Sequence, residues 1–167
     1  TRIDGWRPDR VCAAGIGRTF QLVKPFAGMT VIDNVVVGAL LRSKDVSAAK
    51  SYAAEIVERL GLGAKRDQLA SSLTLPDRKR LEVARALATR PRLLLLDEVM
   101  AGLRPTECDQ IVAVFRELNR AEGLTILLIE HVMRAVMALA QRIVVLHHGE
   151  VIARGTPDEV VRNAAVL

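Results

Sequence analysis

"LTLPDRKRLEVARALATRPRLLLLDE", from Leu73 to Glu98, joins a charged helical pattern to four leucines that end on two adjacent carboxylates. Arg78 to Thr89 has the residue spacing of a helix, and Pro91 closes it. Leu93 to Leu96 lacks any alternation of polar and apolar positions, which is typical of a parallel strand buried on both faces. This stretch therefore predicts a helix followed by a central strand of an α/β fold.

Further aliphatic runs extend the pattern towards the C-terminus. Thr125 to Ile129 resembles the first strand and is separated from it by a helical pattern, Glu107 to Ala121. A strand, helix and strand in this order predict a parallel pair joined by a right-handed crossover. Arg142 to Leu146 and Glu150 to Ala153 flank a turn and predict a hairpin, and Thr156 caps a short final helix with a proline and a glutamate in its first turn.

The middle of the chain has a different, helical character. Residues 33–42 and 47–60 are helical by pattern, and the second run stops at the glycines of residues 61–63. We therefore expect one domain over residues 1–167, with a helical subdomain at about 30–75. Residues 76–167 then form the α/β core with its C-terminal hairpin and helix.

Composition narrows the classes of protein. With 50% hydrophobic residues in 167, the chain is long enough to bury one sizeable core. The net charge of +5 is compatible with binding to nucleic acid or to an anionic membrane surface. The 24 basic residues are interspersed with 19 acidic ones, however, which favours a mixed solvated surface. The basic run around Lys79 is expected to be one solvated face of a helix. The spacing of Cys12 and Cys108 favours neither a disulfide framework nor a zinc site and suits a reducing cytoplasm.

No apolar run approaches the roughly 20 residues that a membrane-spanning helix needs. The first residues also lack the pattern of a signal peptide. Any role at a membrane is therefore expected to depend on a partner.

The two carboxylates, Asp97 and Glu98, are the first candidates for chemistry. A buried parallel strand directs its carboxyl end to the crevice where open α/β sheets bind ligands. An aspartate at that point suits Mg²⁺, and the next residue can reach a water that attacks a phosphate. The alternative is that both acids cap the turn that follows the strand.

Four segments in order resemble motifs of the ATP-binding cassette family, the ATPase domains of ABC transporters. These are Arg18-Thr19-Phe20-Gln21 (Q-loop), Leu93 to Glu98 (Walker B strand and catalytic glutamate), Met100-Ala101-Gly102-Leu103 (D-loop) and Ile129-Glu130-His131 (switch histidine). Residues 18–21, 29–31 and 101–103 are most similar to the ATPases of branched-chain amino acid importers. A single glutamine such as Gln21 is more often a solvated loop amide, and a single histidine such as His131 is more often a hydrogen-bonded core residue. The order of the motifs and their positions along the chain favour the functional interpretation of both.

The resemblance implies an α/β fold, a P-loop-type nucleotide-binding core with a mostly parallel sheet and an inserted helical subdomain. It implies hydrolysis of MgATP, with Glu98 and His131 as catalytic residues. Asp97 and Gln21 are expected to position the metal, and Gln21, Asp97, His131 and Thr74 to contact the nucleotide.

Two departures from the family pattern are present. The phosphate-binding loop G-x-x-x-x-G-K-[ST] is absent from the 167 residues. In the family that loop lies upstream of the Q-loop, so we expect a truncated or fragmentary chain that begins after the loop and is inactive by itself. The family's signature L-S-G-G-Q is replaced by residues 73–77. Thr74 keeps its hydroxyl, Leu75 and Pro76 replace both glycines, and Asp77 is expected to bring negative charge near a phosphate.

The implied partners are integral-membrane permease subunits and a second ATPase domain, as a homodimer or a heterodimer. The implied location is peripheral, at the cytoplasmic face of the inner membrane. Residues 21–62 are the candidate permease surface, with Lys24, Phe26 and Met29 as a small anchor. Three alternatives stay open: a soluble ABC-type ATPase acting on nucleic acid or the ribosome, a non-catalytic subunit, and a gene fragment.

Overall fold

The computed structural model describes residues 2–166. Helices and strands alternate along much of this part of the chain. The α-helices are Pro8–Ala13 (α1), Val31–Ala39 (α2), Val46–Arg59 (α3), Leu75–Ala88 (α4), Pro105–Glu122 (α5), Met133–Leu139 (α6) and Pro157–Val161 (α7), and short 3₁₀ helices span Gly63–Lys65 and Ala70–Ser72. The strands are Ile16–Arg18 (β1), Leu93–Asp97 (β2), Thr125–Ile129 (β3), Ile143–His147 (β4) and Glu150–Gly155 (β5).

The central sheet is parallel, with the strand order β1-β2-β3. Leu93 pairs with Thr125 and Asp97 with Ile129, so β2 and β3 end side by side. The predicted parallel pair with α5 between its strands is confirmed. The predicted hairpin is also confirmed, since β4 and β5 form a separate antiparallel pair.

Three helices pack together beside the sheet. The buried apolar residues of α2, α3 and α4 include Val35, Ala53 and Leu81. Gly38 of α2 lies so close to α4 that a Cβ there would stand 2.6 Å from the carbonyl oxygen of Arg85. The close approach of these two helices therefore requires glycine at this position. The predicted boundary near residues 75 and 76 stays a prediction.

Helix starts are set by side-chain caps. The hydroxyls of Thr30, Thr74 and Thr156 and the carboxylate of Asp45 accept from backbone amides in the first turns of α2, α4, α7 and α3. The predicted capping box at Thr156 is confirmed. Since Thr74 is the cap of α4, that helix begins three residues before the predicted Arg78. No helix within residues 2–166 is both long and apolar enough to cross a bilayer.

One prediction about burial is wrong. The side chains of Leu94 and Leu96 are buried in the core with Phe115 of α5. Leu127 and Ile129 of β3, however, are 58% and 60% exposed. The absence of polar alternation predicted cover on both faces, but no element within residues 2–166 buries this face of β3.

Candidate functional site

The carboxyl end of β2 turns sharply at Glu98. Glu98 adopts a left-handed backbone conformation, with φ at 49°, and its N–H donates to the carbonyl of Ile129 at 2.9 Å. A non-glycine residue in this conformation is uncommon and persists where surrounding contacts hold it. The turn places the Glu98 side chain outside the sheet, at the edge where β2 and β3 end.

The segment that leaves β1 meets this turn. Thr19 is buried, and its N–H donates to the carbonyl of Leu95 while its hydroxyl accepts from the N–H of Asp97 at 3.2 Å. Two residues later, the side-chain amide of Gln21 donates to Oε2 of Glu98 at 3.0 Å. Thr19 therefore fixes the path that brings Gln21 to the carboxylates.

Asp97 lies beside Glu98 and is partly exposed. A guanidinium nitrogen of Arg18 is 3.7 Å from its Oδ2, so the carboxylate already faces a positive charge. The Asp97 carboxylate and the amide oxygen of Gln21 are hard oxygen donors of the kind that Mg²⁺ prefers. No group of three His, Cys, Asp or Glu side chains within residues 2–166 could enclose a metal ion. The donor set fits Mg²⁺ as it is commonly bound, by one or two protein ligands with the rest from water and substrate phosphates.

His131 follows the end of β3. Its Nδ1 is 3.9 Å from Oε1 of Glu98, which is too long for a hydrogen bond. The side chain is mostly exposed. The structure thus brings Gln21, Asp97, Glu98 and His131 to one edge of the sheet.

Thr74 is engaged elsewhere, at the start of α4. Its hydroxyl donates to Oδ2 of Asp77 at 2.6 Å and accepts from the Asp77 N–H. The Asp77 carboxylate is also paired with the ammonium of Lys65 and is buried. Burial alone would raise the pKa of Asp77, but the hydrogen bonds from Lys65 and Thr74 hold it below its ordinary value.

The inward position of Asp77 corrects one expectation. The carboxylate does not project towards a phosphate, because Lys65 and Thr74 hold it inside. What remains of the altered signature is the loss of donors. Pro76 has no N–H, and the amides of Asp77 and Arg78 already donate to Thr74.

Two residues at the site were missed from the sequence. Lys79 was expected on a solvated helix face, but it is only 8% exposed, and its ammonium donates to the carbonyls of Glu98, at 3.0 Å, and Ala101. Glu130 accepts from the N–H of Met100 at 2.7 Å through its Oε1. A signal for Lys79 existed, since it lies three residues before Glu82, which is also buried on α4.

Comparisons with known proteins agree with this geometry. The family model described as "ABC transporter" matches residues 5–101. The branched-chain amino acid transport ATP-binding protein LivG of Salmonella typhimurium is 37% identical over 99% of this chain and 71% of its own length. BraF of Pseudomonas aeruginosa, of the same description, is 35% identical over the same shares. The methionine import ATP-binding protein MetN of Caulobacter vibrioides is 37% identical over 90% of this chain and 45% of its own length.

Solved structures show the same fold. A nucleotide-free ATP-binding cassette from an ABC transporter superposes with a TM-score of 0.84 and 28% identity, covering 99% of this chain and 72% of that one. The ADP conformation of an ATP-binding cassette superposes with a TM-score of 0.83 and 28% identity over the same shares. The predicted fold class is confirmed by these neighbours.

Proposed function

This chain belongs to the ABC transporter family and has the fold of an ATP-binding cassette, and we propose that it supplies the ATP-hydrolysing site of an importer. The observation that carries the proposal is the contact between Gln21 and Glu98. A residue that follows β1 and a residue that follows β2 converge there on one carboxylate, beside Asp97 and within reach of His131.

Glu98 is the proposed general base. Its Oε2 accepts from Gln21, which leaves Oε1 as the atom to accept a proton from an attacking water. His131 is 3.9 Å from that oxygen and is placed to donate to a phosphate oxygen next to the water. When bound, Mg²⁺ would neutralise charge on the transferring phosphate, and Asp97 with the Gln21 amide oxygen would hold it.

The transported solute is proposed from the relatives. LivG and BraF are described as serving branched-chain amino acid transport, and they match 99% of this chain. MetN is described as importing methionine and is similarly identical over a shorter stretch. A branched-chain amino acid, or another small solute of that type, is therefore the proposed cargo.

The surface for a membrane subunit is proposed on the segment between β1 and α2. Phe20, Leu22 and Phe26 are exposed there, Leu22 to 72%. This segment is fixed because the buried amide of Asn34 bonds both the N–H and the carbonyl of Phe26. Met29, predicted as part of the anchor, is only half-exposed. An apolar anchor held by a fixed loop next to Gln21 is suited to a permease whose movement follows nucleotide occupancy.

The altered start of α4 favours one variant of this function. In the family's head-to-tail dimer, residues 74–77 would face the nucleotide of a second ATPase domain. The missing donors there support pairing with a different subunit, at the cytoplasmic face of the inner membrane, and two unequal nucleotide sites.

Vesicle uptake tests the proposal. The full-length protein is assembled with its membrane subunits in vesicles, and uptake of labelled leucine is measured with and without MgATP. We expect uptake that requires MgATP and is competed by isoleucine and valine. Absence of any ATP-dependent uptake of leucine, isoleucine or valine would refute the branched-chain assignment, and methionine uptake in their place would reassign the cargo.

A further inference from the structure

A buried lysine contacts the turn that carries Glu98. Lys79 projects from α4, and its ammonium donates to the carbonyls of Glu98 and Ala101, at the two ends of the turn. The N–H of Ala101 also donates to the Glu98 carbonyl, although at a long 3.4 Å. The Lys79 ammonium therefore reinforces a turn in which the backbone hydrogen bond from Ala101 to Glu98 is weak.

Glu130 contacts the same turn. Its Oε1 accepts from the N–H of Met100 at 2.7 Å. Its Oε2 is buried and accepts no hydrogen bond from residues 2–166. Glu130 immediately precedes His131, so this contact links the end of β3 to the middle of the turn.

Burying the ammonium of Lys79 costs desolvation free energy. Desolvation lowers the pKa of Lys79, against the opposing charges of Glu130 and Glu98. An apolar side chain of similar length would avoid that penalty, and replacement of buried charges by apolar groups is often neutral or stabilising. The ammonium instead supplies donors to two carbonyls of a turn whose first residue is in a left-handed conformation.

We propose that Lys79 and Glu130 are positioning residues for the hydrolysis reaction, which fix the turn of residues 98–101 so that the Glu98 carboxylate stays beside Gln21. This inference rests on the proposed ATPase function. Lys79 links α4 to the turn that carries the Glu98 carboxylate, and Glu130 links the end of β3 to the same turn. A shift of α4 or of β3 would therefore change the orientation of the Glu98 carboxylate.

Steady-state kinetics of the full-length protein test the role of Lys79. Lys79→Met should lower kcat for ATP at least about tenfold and leave the KM for ATP within about twofold, because the carboxylate loses its aim while the nucleotide contacts stay. Lys79→Arg, which keeps donors for both carbonyls, should recover most of the loss. Arg116→Met is the control, since the exposed Arg116 also donates to a main-chain carbonyl, that of Ala138, which lies outside the turn of residues 98–101. Equal kcat in Lys79→Met and wild type, or a loss that Lys79→Arg does not recover, would overturn the proposal.

Amide exchange tests Glu130 without relying on hydrolysis. Glu130→Leu removes the acceptor, so exchange of the Met100 amide should become faster, and Glu130→Gln, which keeps an acceptor oxygen, should preserve protection. Unchanged Met100 protection in Glu130→Leu would overturn the role of Glu130. If the wild-type protein hydrolyses no ATP, the proposed function fails by itself, while the exchange result still decides whether Glu130 holds the turn.

Discussion

The side-chain amide of Gln21 donates to the carboxylate of Glu98 at 3.0 Å, although 77 positions of sequence separate the two residues. Thr19 makes this contact possible, because it ties the end of β1 to the end of β2 through the Leu95 carbonyl and the Asp97 N–H. The contact joins Gln21, which is proposed to hold the metal ion, to the proposed general base. Loss of the Gln21 amide is thus expected to disturb catalysis through the orientation of Glu98.

The 167-residue chain by itself should bind MgATP weakly and hydrolyse none measurably. The side chains at the edge of the sheet act on a nucleotide that is already held. The phosphate-binding loop G-x-x-x-x-G-K-[ST], which supplies most phosphate contacts, is not among the 167 residues. Titration with a fluorescent ATP analogue measures the affinity. Micromolar binding by this chain would contradict the expectation.

Much of the fold follows from local rules, which the sequence displays directly. Aliphatic runs marked β2 and β3, and the capping pattern at Thr156 marked α7. The order of motifs also placed Asp97, Glu98 and His131 at one edge, because parallel strands end on the same side of a sheet. These features depend on residues close to one another in the chain or on a general property of sheets.

The features that the sequence did not predict depend on long-range packing. Charge alone placed Lys79 in solvent, but the two carbonyls that its ammonium contacts lie 19 and 22 positions away. Asp77 was expected to face a phosphate, but Lys65 on the preceding turn neutralises it inside the protein. The exposed face of β3 has the same composition as a covered one, so only the structure distinguishes them.

Lys65→Met should destabilise the protein by about 1–3 kcal/mol, because it leaves the buried Asp77 carboxylate without its cation. Urea unfolding at neutral pH measures the loss. Lys50→Met on α3 is the control, since Lys50 is exposed and has no ion pair within residues 2–166. Equal stability of the two variants would show that the Lys65 contact contributes nothing.

The pH dependence of the same variant has a defined sign. The folded-state pKa of Asp77 lies below its ordinary value of 3.8, so its contribution is present above that pH and is lost as the pH falls through the lowered value. The stability difference between wild type and Lys65→Met should thus be greatest near neutral pH and shrink in acid. A difference that grows as the pH falls would contradict the pairing.

Crosslinking tests the proposed permease surface. Cysteines at Leu22 and Phe26, in a Cys12→Ser background, should crosslink to a membrane subunit in the assembled complex, because both side chains are exposed in the segment that follows Gln21. A cysteine at Val151, which is exposed on β5, should not. Crosslinks from residues 22 and 26 that stay within this protein would argue against the surface.

Unequal nucleotide sites are expected if the protein pairs with an ATPase subunit that has an intact signature. The start of α4 lacks glycine backbone and one N–H at Pro76, and loss of one aimed donor lowers rates by about 10²–10³ in other enzymes. Glu98→Gln should therefore abolish transport, while the equivalent change in the paired subunit should be mild. Comparable losses from both changes, or a fully active homodimer, would exclude the asymmetry.

The most direct measurement of the central claim is ATP turnover by the full-length Glu98→Gln protein, beside nucleotide binding by the same sample. The substitution keeps the shape of the side chain and removes its basicity. We predict that phosphate release falls by about 10²–10³ while affinity for MgATP changes by less than about threefold. Turnover near the wild-type rate would show that Glu98 is not the base and would contradict the proposed site.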